Sequence, residues 1–375
     1  MKALYQAAQL VVFILWFGAA LCVAQAPIPQ PTPPNPGPQE KVTVFTEEVV
    51  IPVSAYDTSG HLNPFLEPQD IIVFEDDVQQ LVRSVRRLPA NVFLMLDTAG
   101  EMNPAMRIST TREIATGLAS ALQPSDHIAV LQFGGQAQLI QDWTTDKEKL
   151  LPVLKTKLSS GKRSSLANAL LVAAAQLKQA PAGSRHLVLI TDGVESSGED
   201  ALAAGIKQLL ALNVTVHVIS YTAIGRKTID KQNPLVKVTN KKRKSAKDIA
   251  DEIMNPPTQQ SEWRKRKKIY VIVDTDIAMR RKRGDYKEAT KQSEKWLSSL
   301  AVETGGVILL PGSVKEMITR SNEVAREIDS QYVVTYTPKR PLAAATQEEY
   351  RQLKVASRRM GLEVHARRGY IAMAQ

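Results

Sequence analysis

From Asn91 onwards, short apolar runs alternate with longer helical patterns over most of the chain. The apolar runs have few polar positions, which is typical of strands buried on both faces of a sheet; they are NVFLMLD, HIAVLQF, RHLVLITDG and NVTVHVISYT. Helical patterns of 14 to 20 residues separate most of them. This order predicts an α/β fold with a doubly wound, mostly parallel sheet flanked by helices on both faces.

Two of these strands end in an acidic residue, Asp97 and Asp192. Ligands of open α/β sheets bind outside the carboxyl ends of the strands. We therefore expect both carboxylates at one rim, provided that the two strands are neighbours. Two carboxylates and a nearby hydroxyl would suit a hard divalent cation such as Mg²⁺.

These features resemble the von Willebrand factor type A (VWFA) domain, whose pattern is a strand followed by Asp-x-Ser-x-Ser, a later threonine before a helix, and Thr-Asp-Gly at a third strand. The match runs from Asn91 to Gln331, and LITDGVES followed by a helix and VTVHVISY is its most specific part. The flanking β segments resemble the exported bacterial group described as VWFA-related. The resemblance implies a Rossmann-like α/β domain that binds a protein ligand, with a metal-ion-dependent adhesion site (MIDAS).

The resemblance also implies which residues form that site. Asp97 and Asp192 match its two aspartates, but Ala99 stands where the first serine is expected and has no ligand atom. Glu101 replaces the second serine. Ser164 takes the threonine position, with Ser165 as the nearby alternative.

Two interpretations of this degenerate site stay open. Glu101 would reach the ion, which gives a three-carboxylate site for Mg²⁺, Mn²⁺ or Ca²⁺. Alternatively the site binds no metal, and Asp97 and Asp192 cap helix N-termini. In that case the crowded carboxylates repel each other and at least one pKa rises.

Around the candidate metal site, we expect a ligand-binding rim. The loops that would form it are Gly100–Asn103, Gly161–Ser165 and Gly193–Gly198. The residues that we expect to contact a protein ligand are Thr98, Gly100, Met102, Ser165 and Gly193.

Enzyme motifs are missing from the sequence. SSGKRSS lacks the first glycine of a phosphate-binding loop, and neither Gly-x-Ser-x-Gly nor His-Glu-x-x-His occurs. His127, His186 and His217 lie in or beside predicted strands, which favours structural roles. We therefore expect no enzymatic activity and no dedicated small-molecule substrate.

Positive charge is concentrated in one insertion, which we place at residues 223–287. Between Arg226 and Lys291 the chain has 20 Lys and Arg against 9 Asp and Glu, although its net charge is only +10. The insertion is either a solvated loop or a site for a polyanion such as nucleic acid, anionic lipid or lipopolysaccharide. The candidate polyanion-binding residues are Lys241, Lys242, Arg243, Lys244, Arg264, Lys265, Arg266, Lys267 and Lys268. In this alternative function the VWFA domain is only a scaffold.

The first 24 residues have the features of a signal peptide. Residues 10–24 are an apolar stretch that ends in Cys22-Val23-Ala24, which predicts cleavage after Ala24; an uncleaved membrane anchor is the alternative. Residues 25–40 form a proline-rich linker, with seven prolines between Ala26 and Glu40. We therefore expect an exported protein that is secreted, periplasmic or bound to the envelope.

Two β-rich segments flank the predicted domain at 90–331. Residues 41–88 and 332–375 each have too few predicted strands for an independent sheet. We therefore expect them to pair into one small β module.

Overall fold

The computed structural model describes residues 47–62, 65–99, 104–161, 165–194, 198–232, 237–239, 270–272, 277–345 and 347–372. The chain divides into two compact units, Met1–Phe45 and Thr46–Gln375. The predicted signal peptide and proline-rich linker lie in the first unit, outside the described residues.

The described residues of the second unit form sixteen strands and seven α-helices. The strands are β1 Val49–Tyr56, β2 Ile71–Glu75, β3 Val78–Gln80, β4 Val82–Arg86, β5 Ala90–Asp97, β6 His127–Phe133, β7 Gln138–Thr144, β8 Ser184–Thr191, β9 Thr215–Ser220, β10 Lys237–Thr239, β11 Tyr270–Ile272, β12 Ile308–Leu309, β13 Tyr332–Tyr336, β14 Glu349–Ser357, β15 Glu363–Ala366 and β16 Gly369–Ala372. The helices are α1 Pro104–Ala121, α2 Lys147–Thr156, α3 Leu166–Lys178, α4 Glu199–Ala211, α5 Thr222–Gln232, α6 Ile277–Thr304 and α7 Val314–Ser330.

The central sheet has six strands in the order β12-β9-β8-β5-β6-β7. Its first five strands are parallel, and β7 pairs antiparallel with β6. Helices cover both faces of this sheet. The predicted fold class, a doubly wound and mostly parallel α/β sheet, is confirmed.

Strand β5 shows why the sheet is covered on both faces. All eight of its residues are buried, and successive side chains point to opposite faces. Val92, Leu94 and Leu96 pack against helices α1, α2 and α7. Phe93 and Met95 pack against helices α3, α4 and α6. The uninterrupted apolar run of residues 92–96 suits a strand that is covered on both faces in such a three-layer arrangement.

The two flanking segments form the predicted β module. It consists of two four-stranded sheets, in the orders β15-β1-β13-β4 and β16-β14-β2-β3. In the first sheet, β1 from the N-terminal segment lies between β13 and β15 from the C-terminal segment. Buried residues of both sheets, among them Ile51, Val73, Tyr336 and Leu353, pack into one core. The inference that both ends of the chain pair into one module is confirmed.

The segment LEVHARRGYIA contains two strands, β15 and β16. Strand β15 pairs with β1 and strand β16 pairs with β14, so the chain changes sheets at Arg367 and Arg368. A side chain at Gly369 would overlap the Tyr350 ring, so the strand that follows the corner begins with glycine. Arg367 is buried at this corner.

The described parts of residues 223–287 contain secondary structure. Helix α5 occupies Thr222–Gln232, and helix α6 begins at Ile277. The first turns of α6 are rich in Arg and Lys, which are good helix formers. Strand β11 pairs with β10 in a separate two-stranded sheet and adds no edge to the central sheet.

Candidate functional site

The two acidic residues lie side by side at the carboxyl-terminal rim of the central sheet. Strands β5 and β8 are parallel neighbours, and the register pairs Leu96 with Ile190. Asp97 is therefore level with Thr191, and Asp192 follows directly. The expectation that both carboxylates share one rim is confirmed by this register.

Asp97 is fully buried, and the residues on both strands hold its carboxylate. Its Oδ1 accepts a hydrogen bond from the Ala99 N–H at 2.9 Å. Its Oδ2 accepts one from the Thr191 hydroxyl at 2.7 Å. The same hydroxyl oxygen accepts from the Gly193 N–H at 2.9 Å, which fixes the turn after β8.

Burial raises the pKa of Asp97 to about 7. The nearby Arg107 opposes this rise in pKa, and the negative charge of Asp192 adds to it. The sequence interpretation without metal predicted a raised carboxyl pKa, and Asp97 has one. Its main cause, however, is the loss of solvent, and the repulsion between carboxylates is a smaller contribution.

A guanidinium group occupies the space between the two strand ends. Arg107 is on helix α1, and its Nη2 donates to Asp192 Oδ2 at 2.5 Å. Its Nη1 donates to the carbonyl oxygen of Ala99. The guanidinium thus bridges the residues that follow β5 and β8. Only 11% of the Arg107 side chain and 6% of the Asp192 side chain are exposed.

Two tyrosines complete the surroundings of this ion pair. The Arg107 guanidinium lies over the Tyr221 ring, 5.1 Å from its centroid. Tyr221 directly follows β9, and its hydroxyl shares a 2.7 Å hydrogen bond with Thr111. The Tyr286 hydroxyl, from helix α6, donates to Asp192 Oδ2 at 2.8 Å. Three strand ends and two helices therefore meet around one guanidinium.

The contacts that the structure gives to the two aspartates lie within the loops that follow their strands. Asp97 accepts from the amide two residues later, and Asp192 Oδ1 accepts from the Val194 N–H at 3.2 Å. Both are turn contacts of the Asx type, because each side chain bonds its own loop.

Only some of the other predicted site residues lie within the part of the chain that the structure describes. Glu101, Ser164, Gly100 and Met102 lie outside the described residues, as do all nine candidate polyanion-binding residues from Lys241 to Lys268. Ser165 is half-buried and directly precedes helix α3. Thr98 and Gly193 are buried at the rim.

The donor set around Asp97 and Asp192 does not fit a divalent cation in this arrangement. Ala99 supplies no ligand atom, and the Thr191 hydroxyl proton is directed at Asp97. Asp192 Oδ2 already accepts hydrogen bonds from both Arg107 and Tyr286. A guanidinium at this position would repel a metal ion. Among the described residues, no group of three or more His, Cys, Asp or Glu could hold one.

Sequence reasoning did not find Arg107, Tyr221 and Tyr286. Tyr221 had a usable signal, because it follows the end of a buried strand as Asp97 and Asp192 do. Arg107 lies one turn into a helix, and Tyr286 lies 94 residues after the aspartate that it contacts. No local pattern distinguishes either from an ordinary helix residue.

The rim loops approach each other closely on the β6 side. The Gly161 N–H donates to the Thr98 carbonyl at 3.1 Å, and the Thr98 N–H donates to the Phe133 carbonyl at 2.8 Å. A Cβ on Gly134 would lie 2.6 Å from Thr98 Oγ1 and 2.8 Å from the Ala99 nitrogen. Only glycine at 134 allows this approach.

The histidines of β8 and β9 have structural contacts, as the sequence indicated. The Val307 N–H donates to His217 Nδ1 at 3.4 Å, which places the proton of the neutral ring on Nε2. His217 Nε2 lies 3.2 Å from His186 Nδ1, and His186 Nε2 lies 3.0 Å from Ser184 Oγ. His127 begins β6, and its buried Nδ1 has no hydrogen-bond partner in the described part of the chain.

Among the described residues, no helix is both long enough and apolar enough to cross a membrane.

Part of this chain is similar in sequence to a known family. Residues 91–256 match the von Willebrand factor type A domain family. No curated protein matches the sequence. The structure itself defines an α/β domain in which two acidic residues lie at the carboxyl ends of neighbouring strands. The similarity to the VWFA family begins at Asn91; beyond the matched residues, β12 joins the same sheet and α7 packs on its face.

Three solved structures are similar to parts of this chain. The first is an aerotolerance-related membrane protein from Bacteroides fragilis, with 16% identity over 64% of this chain and 98% of the other, at a TM-score of 0.38. The second is a von Willebrand factor type A protein from Catenulispora acidiphila, with 10% identity over 88% and 74% of the two chains, at 0.42. The third is manganese-loaded TRAP protein from Plasmodium vivax, with 17% identity over 40% and 61%, at 0.32. At these values none of them assigns a ligand to this chain.

Proposed function

We propose that this chain is an exported, non-enzymatic protein whose VWFA domain binds a protein ligand at the carboxyl-terminal rim of its sheet. The single observation that carries the proposal is the parallel pairing of β5 and β8, which places Asp97 and Asp192 together at that rim. VWFA domains are typically interaction modules without enzymatic activity. Open α/β sheets bind their ligands at this end.

Exposed residues around the ion pair would provide the contact surface. Gly135 and Gln136 follow β6, and Ser159 and Ser160 precede the next rim loop; all four are exposed. Val194 is half-exposed after β8. These positions surround the buried centre, and small or polar side chains there leave room for a partner's own side chains.

The proposed binding needs no divalent cation. The positive charge at the rim is supplied by Arg107, which is already paired with Asp192 at 2.5 Å. Coordination of Mg²⁺, Mn²⁺ or Ca²⁺ by Asp97, Glu101, Ser164 and Asp192 would require that ion pair to open.

Export is part of the proposal, and its support is the sequence of residues 1–40. An apolar stretch with small residues at 22 and 24 precedes the proline-rich linker. N-terminal sequencing of the protein recovered from outside the cytoplasm is expected to begin at Gln25. Recovery of the uncleaved chain in the membrane fraction would contradict cleavage and support an anchor.

Site-specific photocrosslinking tests the proposed surface. A photoreactive residue would replace Gln136 or Ser160 at the rim, and Ser125 or Ala182 at the opposite, amino-terminal end of the strands; all four positions are exposed. We expect both rim positions to capture the same protein, identified by mass spectrometry, and the two control positions not to capture it.

The captured protein is then purified and titrated against surface variants. Gln136→Arg and Ser160→Arg are expected to weaken its binding at least about tenfold, and Ser125→Arg to leave it unchanged. Equal capture from both ends of the sheet, or a loss of binding only with Ser125→Arg, would contradict a rim site.

A further inference from the structure

We propose that Arg107 is the resident cation of the rim and takes the position in which a divalent ion would otherwise neutralise Asp97 and Asp192. The proposal goes beyond the binding function, because it concerns what holds the rim together whether or not a protein binds there. It also assigns Arg107 a role in cation specificity: it excludes metal from this site.

Its first support is the position of the guanidinium. Nη1 donates to Ala99, two residues after the first aspartate, and Nη2 donates to Asp192. One planar group therefore joins the loops after β5 and β8. A metal ion that joined the same two loops would need ligand atoms at these places, and Ala99 offers only its carbonyl oxygen.

Its second support is the set of groups that hold the guanidinium in place. The Tyr221 ring lies beneath it at 5.1 Å, and the Tyr286 hydroxyl bonds the same Asp192 oxygen at 2.8 Å. Cations gain from the face of an aromatic ring, and a planar guanidinium gains more than an ammonium. An arginine without a fixed role at the rim would not require either tyrosine contact, so the two contacts indicate that the guanidinium is held in this position.

Its third support is charge balance in a buried place. Asp97 is fully buried and Asp192 nearly so, and buried carboxylates need a counter-charge or a proton. The guanidinium supplies that charge from within the chain. A divalent ion at the same carboxylates would be repelled by Arg107 and would have to displace it.

The consequence is an exchange: removal of the arginine charge is expected to open the rim to a divalent cation. Arg107→Gln keeps most of the side-chain length and one donor but removes the positive charge. Mn²⁺ is the probe, because its binding can be followed both by electron paramagnetic resonance and by the thermal unfolding midpoint.

We expect the wild-type protein to show no shift of its unfolding midpoint with millimolar Mn²⁺. Arg107→Gln is expected to unfold at a lower temperature without the ion, to regain part of the loss with it, and to bind Mn²⁺ at least about tenfold more tightly than the wild type. The double variant Arg107→Gln with Asp192→Asn is expected to lose that gain.

Arg112→Gln is the matched control, because Arg112 lies on the same helix and donates to the Leu158 carbonyl at 2.9 Å. It is expected to bind Mn²⁺ no better than the wild type. Wild-type binding of Mn²⁺ that Asp97→Asn removes would overturn the proposal. An Arg107→Gln protein that is unresponsive to Mn²⁺, or that stays unfolded with it, would also overturn it. Photocrosslinking at the rim is independent of all these results, so either proposal can fail alone.

Discussion

Thr191 Oγ1 lies 2.7 Å from Asp97 Oδ2 and donates a hydrogen bond to it across the central pair of strands. Both residues are fully buried. Since the same hydroxyl accepts from Gly193, one small side chain orients the carboxylate of β5 and also fixes the turn after β8. The threonine of the Thr-Asp-Gly motif is thus a positioning residue of the rim.

Thr191→Val is expected to lower the free energy of unfolding by about 2 kcal/mol, because it leaves a buried carboxylate oxygen and a buried N–H without partners. Valine has nearly the same shape, so packing changes little. Thr191→Ser keeps the hydroxyl and is expected to lose less than about 1 kcal/mol. Urea unfolding of the three proteins measures the difference. Equal losses for valine and serine would mean that packing of the methyl group, and not the hydrogen bonds, is responsible.

Gly134→Ala is expected to destabilise the protein by about 2 kcal/mol or more, because the new Cβ would lie 2.6 Å from Thr98 Oγ1 and 2.8 Å from the Ala99 nitrogen. Gly135→Ala is the neighbouring control, since its Cβ would have no heavy atom within 4 Å. Thermal unfolding compares the two. If both variants behave like the wild type, the rim loops are further apart than described.

The β module has its own buried ion pair, Arg351 Nη1 with Glu75 Oε1 at 2.9 Å. Glu75 Oε2 accepts from the hydroxyls of Tyr336 at 2.6 Å and Tyr370 at 3.0 Å. Arg351→Met is expected to cost about 3–5 kcal/mol, because it leaves the Glu75 charge buried without its cation.

The double variant Arg351→Met with Glu75→Gln is expected to recover a substantial part of that loss, since no charge is then left unpaired. Denaturant unfolding of the single and double variants tests the coupling between the two residues. Additive losses would show that the ion pair makes no joint contribution to stability.

Burial lowers the pKa of His186 to about 3, and burial together with the neighbouring His186 holds the pKa of His217 well below its usual range. Both rings are therefore neutral in the folded protein at pH values where the unfolded chain protonates them, below about 6.5. The stability that they contribute is fully present above that pH. It is lost as the pH falls from about 6.5 towards 3, by up to about 2–3 kcal/mol per pH unit.

Wild type and the double variant His186→Gln with His217→Gln are compared by urea unfolding between pH 7.5 and pH 4.5, a window of about three pH units that covers most of this titration. The difference between them isolates the histidines from the carboxylates, whose titration both proteins share. We expect the wild type to lose stability more steeply on acidification. Parallel pH profiles would contradict neutral histidines in the folded state.

Much of the fold follows from the sequence, because a strand that is buried on both faces of a sheet has an almost continuous run of apolar residues. The uninterrupted apolar run of β5 predicts a central parallel strand, and the rule for strand ends predicts a site at Asp97 and Asp192. The first turns of helix α6 have a run of basic residues in place of apolar periodicity, so the sequence does not mark where this helix begins. Nothing local marks Arg367 as a corner between two sheets.

The sequence by itself determined the strands, most of the helices, the two acids at strand ends and the pairing of both chain ends into a β module. These are properties of local periodicity and of hydrophobic burial. Only the tertiary structure decided what lies between the acids. Arg107, Tyr221 and Tyr286 are far apart in the sequence. The local sequence around an arginine on a helix does not show whether its side chain faces solvent or a buried carboxylate. The meeting of three strand ends and two helices makes Arg107 the cation of the rim, because buried charge must be balanced by whichever group the fold brings within reach.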